Sequence, residues 1–360
     1  MIIAFYIVLI IYTFYWLILD FYFHKKTQET NNITSSIPFC SIIICARNEE
    51  QHISQCLQTM LQQKNIDSYV EIILVDDGSA DNTTQIAEQI LKQYRLPYQI
   101  IKNNECMGKK KCIEKAIQHA SPKSQFIILR DADTFTYSND WLMETIQNLH
   151  NTDLLIAPVV HQIQKHSIIE FLQYYEGLAL LHLTKSSWKI HHPILCSASN
   201  LAFHKNTFIH LRPYQHNYHI PTGDDIFLLN QFYSSNKNIH LVFSKNNLVY
   251  TYSPYSLKSL FKQKLRWLSK TSTIKNNFNT FSALLMAITH LSLFALLFIS
   301  PLHFMLLFIL KLFIDLKIIY SVRKTLNLQP YPLIYFFIAE LLYIPYVCAL
   351  ILGHFLIKKQ

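Results

Sequence analysis

Apolar positions along this chain fall into three regimes. Residues 1–19, from Met1 through Leu19, are uncharged and apolar or aromatic, just long enough to cross a bilayer as a helix. From about residue 38 to 160, short apolar runs alternate with helix-periodic stretches. Ile42-Ile43-Ile44-Cys45, Ile72-Ile73-Leu74-Val75, Tyr98-Gln99-Ile100-Ile101, Phe126-Ile127-Ile128-Leu129 and Leu154-Leu155-Ile156-Ala157 predict five strands. Between them, Ile53, Leu57, Met60 and Leu61 recur at helical spacing, and Asp81 is placed to cap a helix with Ile86, Ile90 and Leu91 on one face. Further helices are predicted near 109–119 and 140–149. Continuous β-branched runs alternating with helices imply a parallel sheet covered on both faces, an α/β fold.

The third regime is helical and increasingly apolar. Residues 166–190 carry Ile168, Ile169, Phe171, Leu172, Tyr174 and Tyr175, then Leu178 to Leu183. From Tyr255 to Lys275, Leu, Phe and Trp alternate with Lys258, Lys262, Lys264, Arg266 and Lys270, the pattern of a basic amphipathic helix at a membrane surface. A solvated helix packed on the domain is the competing reading. Phe281 to Ser300, closed by Pro301, and Tyr331 to Ile357 are span candidates. Leu302 to Tyr320 is weaker, because Lys311, Asp315 and Lys317 interrupt it. The basic His24-Lys25-Lys26 puts the chain beyond the first span in the cytoplasm, and no basic start or small-residue cleavage site marks residues 1–19 as a signal peptide. The C-terminal topology stays open, since Arg323 and Lys324 lie inside if all three segments cross, and the assignment reverses if the middle one only dips in. The expected organisation is a membrane helix at 1–24, a polar linker at 25–37, an α/β domain at 38–254, the amphipathic helix at 255–278 and a membrane region of two or three helices at 279–360.

Composition sharpens this picture. Hydrophobic residues make up 51% of the 360 and charged residues only 15%, apolar for a wholly soluble enzyme, and the excess gathers at the two ends. A net charge of +9 favours anionic partners: lipid headgroups, a diphosphate or nucleic acid. No Lys/Arg block interleaved with base-stacking aromatics stands apart from the membrane-like segments, so nucleic acid is set aside. Seven cysteines without a C-x-x-C pair fit reduced thiols in a cytosolic region. Seventeen histidines include no H-E-x-x-H, and His191-His192-Pro193 lacks an acidic helper. Of only five glycines, three (Gly78, Gly108 and Gly223) adjoin polar clusters.

Those clusters carry the candidate chemistry. Asp131-Ala132-Asp133 comes directly after a strand end, where alternate residues set two hard oxygen ligands near one diphosphate, as Mg²⁺ or Mn²⁺ prefer. Asp76-Asp77 ends the second strand, where a carboxylate can bond the imide of a base or a ribose hydroxyl; D-D-G-S-x-D is also good turn chemistry. Asp225 is the best candidate base, against the competing reading of a helix cap for Ile226 to Tyr233. Gln263-x-x-Arg266-Trp267 puts Gln263 and Trp267 on one helical face, with Arg266 able to clamp phosphate oxygens and Trp267 flat enough to face a sugar ring, unless the segment is only an interfacial anchor. Gly108-Lys109, with Lys110 and Lys111, either reaches the diphosphate or is a solvated lysine run.

In order and spacing these motifs resemble the family 2 glycosyltransferases, in the membrane-associated branch of cellulose, chitin and hyaluronan synthase-like and ceramide glucosyltransferase-like proteins, over residues 38–275. Ser41 to Glu50 is similar to the family's opening strand and N-E turn, which implies that Ala46, Arg47 and Glu49 border the nucleotide. Val75-Asp76-Asp77-Gly78-Ser79 looks like its uridine-contacting motif. Gly108-Lys109 with Ala116 further on is similar to its G-K-x-x-A-L-N segment, with departures at Cys112 and Glu114. Asp131-Ala132-Asp133 matches D-x-D, with Asp131 also against the nucleotide, and Ser199 to Phe203 looks like the segment lining the acceptor side, through Asn200. Gly223-Asp224-Asp225 stands where the family has G-E-D or T-E-D, so Asp225 inherits the catalytic base and Asp224 replaces the usual Glu. Gln263, Arg266 and Trp267 match Q-x-x-R-W.

The resemblance implies the GT-A fold, a mixed, mostly parallel sheet with helices on both faces, flanked by N- and C-terminal membrane helices. It further implies inverting, Mg²⁺- or Mn²⁺-dependent transfer from a UDP-sugar to a lipid or glycan acceptor, giving a β-linked product. The expected setting is a multi-pass protein of a bacterial inner membrane with its catalytic domain in the cytoplasm. A processive polysaccharide synthase, a non-catalytic membrane subunit and a nucleotidyltransferase are the competing readings.

Overall fold

A computed structural model describes residues 2–25, 37–254, 256–271 and 277–357 of the chain. The expected linker at 25–37 therefore lies almost wholly outside the described residues, as do Tyr255 and residues 272–276. The chain opens with α1 (Ile2–His24), then runs β1 (Cys40–Ala46), α2 (Ile53–Leu61), α3 (Ile66–Tyr69), β2 (Val70–Asp76), α4 (Thr83–Leu91), β3 (Tyr98–Lys102), α5 (Lys109–His119) and β4 (Phe126–Asp131). After β5 (Thr134–Phe135) and α6 (Trp141–Gln147) come β6 (Leu154–Ile156), β7 (Val159–Gln162) and the long α7 (Ile168–Lys189). Next are β8 (Leu201–His204), α8 (Lys205–Leu211), α9 (Asp224–Ser234), β9 (Ile239–Leu241) and β10 (Val249–Tyr252). Four helices complete the chain: α10 (Leu257–Thr271), α11 (Asn277–Ile299), α12 (Pro301–Leu326) and α13 (Leu333–Ile357).

The chain divides into two compact units. The α/β unit is Gln28–Val160 with Leu195–Tyr252, and the helical unit is Met1–Thr27, His161–Ile194 and Ser253–Gln360. In the α/β unit a seven-stranded sheet runs in the order β3-β2-β1-β4-β8-β6-β9, beside a smaller β5-β10-β7 sheet. Strands β1, β2, β3 and β4 are parallel, with Ile42 opposite both Ile72 and Ile128. β8 is antiparallel to both β4 and β6, so the sheet is mixed and mostly parallel, as expected. Ile42, Ile44, Ile72, Leu74 and Ile128 pack with Leu57, Met60 and Trp141 of the covering helices in one apolar cluster. A fully buried strand side chain contributes about 1.5–3 kcal/mol by leaving water, which is why these runs are apolar without alternation. Helix α4 starts one residue later than expected. Asn82, not Asp81, is the cap residue, and Asp81 instead accepts from the Thr83 backbone N–H at 3.0 Å and the Glu50 N–H at 3.1 Å.

In the helical unit, α1, α11 and α13 are long and apolar enough to cross a membrane. Their outward faces carry Phe14, Phe21, Leu284, Phe298 and Leu333, all exposed. Inward, Leu9, Trp16, Leu293, Leu296 and Phe308 form a shared core. The charges that interrupt 302–320 do not break a helix: α12 is continuous over Pro301–Leu326. Lys311 is 1% exposed and paired at 2.5 Å with both Asp315 and Glu340, while Lys317 reaches Asp20 at 3.0 Å. Intramembrane charges tend to face the bundle interior and pair with one another, so a hydropathy average over the segment understates its helical burial. Asp20 also accepts from Ser321 Oγ at 2.9 Å and meets His182 Nε2 at 3.1 Å, tying α1, α7 and α12 together.

Candidate active site

The parallel register brings the acidic motifs to one edge. Ala46 pairs with Asp76 and Cys45 with Asp131, so β2, β1 and β4 end side by side at their carboxyl termini. That edge is where open α/β sheets bind ligands. Gly78, at φ +74°, turns the chain beneath the 105–106 loop, where a Cβ would lie 3.3 Å from the Glu105 carbonyl carbon. Asp76 accepts from the Ser79 N–H at 3.1 Å and Thr84 Oγ1 at 2.9 Å. Asp77 accepts from the backbone N–H of Met107 at 2.7 Å and of Gly108 at 3.0 Å. Burial works against the Asp77 charge, but these donors, Met107 N–H foremost, hold its carboxyl below the usual range. The pair thus does turn work as well, and Asp77 fixes the loop that delivers Lys109.

Lys109 joins two motifs. Its Nζ lies 2.5 Å from Asp131 Oδ1 and 3.1 Å from Asp224 Oδ2, while Asp131 Oδ2 accepts from Ser199 Oγ at 2.6 Å. Burial opposes the Lys109 charge, yet Asp131 and Asp224 raise its pKa well above the ordinary value. The Lys109 and Asp131 side chains are 30% and 29% exposed, so solvent screens the pair and its contribution to stability is about 1 kcal/mol or less. Of the other lysines read as a run, Lys110 is not solvated: its Nζ donates to the carbonyls of Asn217 at 2.7 Å and Ile220 at 2.9 Å, fixing the loop before α9.

At the start of α9, Gly223 (φ +90°) turns the chain and Asp224 and Asp225 occupy the first helical turn. Asp225 is not the cap residue; its Oδ1 accepts from the Ile226 N–H at 2.8 Å. The side of the site around Asp131 is crowded with acids. Burial, then the Asp131 charge, pushes the Asp133 carboxyl up to about 6. Burial, then the charges of Asp133, Asp131 and Asp81, pushes Glu49 up to about 7. Among the described residues no group of three or more His, Cys, Asp or Glu forms a ready metal cage. Asp131 and Asp133 supply carboxylate oxygens of the kind a hard divalent cation takes, with both oxygens of Asp131 met here by Lys109 and Ser199.

The remaining predicted residues are spread over both units. Ala46 is buried at the end of β1, and exposed Arg47 donates to Cys106 Sγ at 2.8 Å. Asn200 is 2% exposed; its Oδ1 accepts from Trp141 Nε1 at 3.0 Å and its amide donates to the carbonyls of Pro158 at 2.9 Å and Asn247 at 2.8 Å. Both of its N–H groups are therefore committed to the fold. Gln263, Arg266 and Trp267 belong to α10 of the helical unit. There, buried Lys264 pairs with Glu176 at 2.7 Å and stands 4.2 Å from the Trp267 ring centroid, and Phe261 and Leu265 pack on Gly353.

Sequence reasoning passed over Arg130. It is 1% exposed, 4.6 Å over the Trp141 ring, and none of its guanidinium nitrogens has a hydrogen-bond partner among the described residues. Its burial lowers its pKa to about 10, and its charge lies behind the acid pair. The signal was present as a basic residue closing an otherwise apolar strand. Because its buried charge makes no hydrogen bond, Arg130→Met is expected to change stability by only about 1 kcal/mol in thermal unfolding. The same variant should tighten Mn²⁺ binding by calorimetry; unchanged affinity would show that the acids do not feel this charge.

The mixed, mostly parallel sheet with helices on both faces is of the GT-A class. The same fold is seen in a solved mannosyltransferase from Pyrobaculum calidifontis, in complex with GDP-Man and Mn²⁺, at TM-score 0.61 and 13% identity over 99% of both chains. Residues 41–208 match the glycosyl transferase family 2 model. The chain is 34% identical over 149 residues to a dolichyl-phosphate beta-glucosyltransferase of Saccharomyces cerevisiae, covering 37% of this chain and 44% of that protein. It is 25% identical over 126 residues to a beta-monoglucosyldiacylglycerol synthase of Nostoc, covering 34% and 26%. Among the curated relatives compared, the matched stretch spans from 16% to 52% of their length.

Proposed function

We propose that the protein is an inverting glycosyltransferase that moves a sugar from a nucleotide sugar to a lipid or lipid-linked glycan at the cytoplasmic face of a membrane. The observation that carries this reading is Lys109, which joins the strand-end acid Asp131 to Asp224, the neighbour of Asp225. In this reading Ala46, Arg47, Glu49, Asp76 and Asp77 surround the nucleotide. Asp225 accepts the proton of the acceptor hydroxyl as that oxygen bonds to the anomeric carbon and the bond to the diphosphate breaks, inverting the configuration there. Lys109 offers positive charge to the departing diphosphate. Asp131 and Asp133 would hold Mg²⁺ or Mn²⁺, which when bound neutralises diphosphate charge. Names among the relatives support both an isoprenoid-linked and a diacylglycerol acceptor, and the solved neighbour's GDP-Man stands beside UDP-sugars as a donor class. The span-length helices α1, α11 and α13 support a multi-pass membrane setting.

Chelation tests the acid pair. EDTA is expected to abolish turnover by the detergent-purified protein and Mn²⁺ or Mg²⁺ to restore it, whereas Asp133→Asn should recover little at any Mn²⁺ concentration. Full activity in EDTA would remove the cation from this mechanism. NMR of the product is expected to show a β-linkage from an α-linked donor, and a retained α-configuration would refute direct displacement.

A further inference from the structure

Lys110 follows Lys109 in the first turn of α5, and its side chain is turned away from water: it is 5% exposed. Its Nζ donates to the carbonyls of Asn217 at 2.7 Å and Ile220 at 2.9 Å, and stands 4.4 Å from the Phe227 ring centroid. Those partners lie on both sides of Gly223. The two carbonyls belong to the loop that enters the turn. Phe227 belongs to the opening turn of α9 that leaves it, where its N–H bonds the Gly223 carbonyl at 2.9 Å.

A glycine at φ +90° makes a turn that few other residues hold, and its missing side chain leaves the backbone there less restrained. Asp225 comes two residues later. The place of its carboxylate thus depends on what holds the flanks of that turn. An apolar residue at 110 would fill the space without taking a charge out of water, which is costly unless the charge is hydrogen-bonded. An ammonium, with three donors on one atom, grips two carbonyls and an aromatic face together, which no apolar side chain does. A second hold lies one turn along α5. Glu114, at i+4 from Lys110 and so on the same face, accepts from Tyr218 Oη at 2.7 Å through both carboxylate oxygens.

We propose that Lys110 is a positioning residue for the transfer reaction, an inference that rests on Asp225 being its base. It pins the chain before and after Gly223 to the helix that carries Lys109, and so sets where the Asp225 carboxylate stands. Asn217, Tyr218, Ile220 and Phe227, the groups held by the two tethers, are not among those assigned to the nucleotide. α5 stays anchored by Ile113, Ala116 and Ile117, so Lys109 keeps its place when Lys110 is lost. Loss of Lys110 therefore moves the base and leaves the donor site as it was.

Nucleoside diphosphate release is followed for the full-length protein in detergent with membrane lipids, Mn²⁺ and varied UDP- or GDP-sugar. Lys110→Met keeps the stem against Phe227 and removes the donors. Its kcat should fall about 10²-fold, the effect of displacing a reacting group by about an ångström, at unchanged donor KM. On an Asp225→Asn background the same substitution should lose nothing further, because the base it positions is gone. A merely structural lysine would multiply the two losses. Should Lys110→Met fail to fold, Tyr218→Phe, at a residue 43% exposed, removes only the bond to Glu114 and should lower kcat about threefold, again only while Asp225 is intact. With Asp225→Asn impaired, normal kcat in a folded variant, a raised donor KM, or a full additional loss in the double variant would overturn the role of Lys110. Full kcat in Asp225→Asn, or no turnover of any donor, would instead remove the base reading and this role with it.

Discussion

Asp225→Asn is expected to bind a nucleotide sugar as the unaltered protein does while its kcat falls by roughly 10³-fold, the middle of the range for loss of a positioned general base. The substitution keeps the shape of the side chain and the acceptor that meets the Ile226 N–H at 2.8 Å, so α9 keeps its start. It removes only the capacity to take a proton. The donor KM should hardly move, because the groups assigned to the nucleotide lie at and just beyond the ends of β1, β2 and β4 rather than on α9. Steady-state kinetics with varied donor at saturating acceptor separates the two parameters. Full kcat in a folded Asp225→Asn protein would mean that another group, or solvent, accepts the proton.

Lys109→Met is expected to cost about 10²–10³-fold in kcat/KM, with a raised donor KM, as removal of one preorganised charge contact to a reacting group does. Without its ammonium, Asp131 and Asp224 face each other across a space that Lys109 Nζ now bridges at 2.5 and 3.1 Å. The fold should lose little, because a pair about 30% exposed contributes about 1 kcal/mol or less. That split marks a functional cation, since a merely structural lysine would move the melting temperature and activity together. Lys109→Arg should restore part of the rate, and Lys111→Met, at an exposed position of the same run, should be silent. A Lys109→Met protein with normal KM and kcat would return Lys109 to an ordinary surface ion pair.

Much of this was legible before any coordinates, and the reasons differ by element. The strands β1, β2 and β4 were readable because both faces are covered, so Ile42–Cys45, Ile72–Val75 and Phe126–Leu129 are continuous apolar runs that end near the polar edge. The helix expected near 109–119 is α5, which carries Ile113, Ala116 and Ile117 on its buried face. By contrast, β8 pairs antiparallel between β4 and β6, and nothing in Leu201-Ala202-Phe203-His204 records direction. The charges of α12 keep it out of the set of span-length apolar helices, as read, yet Lys311 and Asp315 bind each other inside the helical unit, which the sequence alone does not show. Asp76, Asp77 and Asn200 show a further limit. A sequence names residues able to bind a ligand, but not how many of their hydrogen bonds the fold has already taken. Arg130 was missed because a lone basic residue at a strand end looks like punctuation.

The most direct test of the proposed transfer is nucleoside diphosphate release by the full-length protein, purified in detergent with membrane lipids and supplied with Mn²⁺ and a panel of UDP- and GDP-sugars. The mechanism predicts diphosphate release with one donor class, matched mole for mole by a glycosylated lipid and nearly absent in Asp225→Asn. Release of pyrophosphate instead, or no turnover of any donor by well-folded protein, would contradict it.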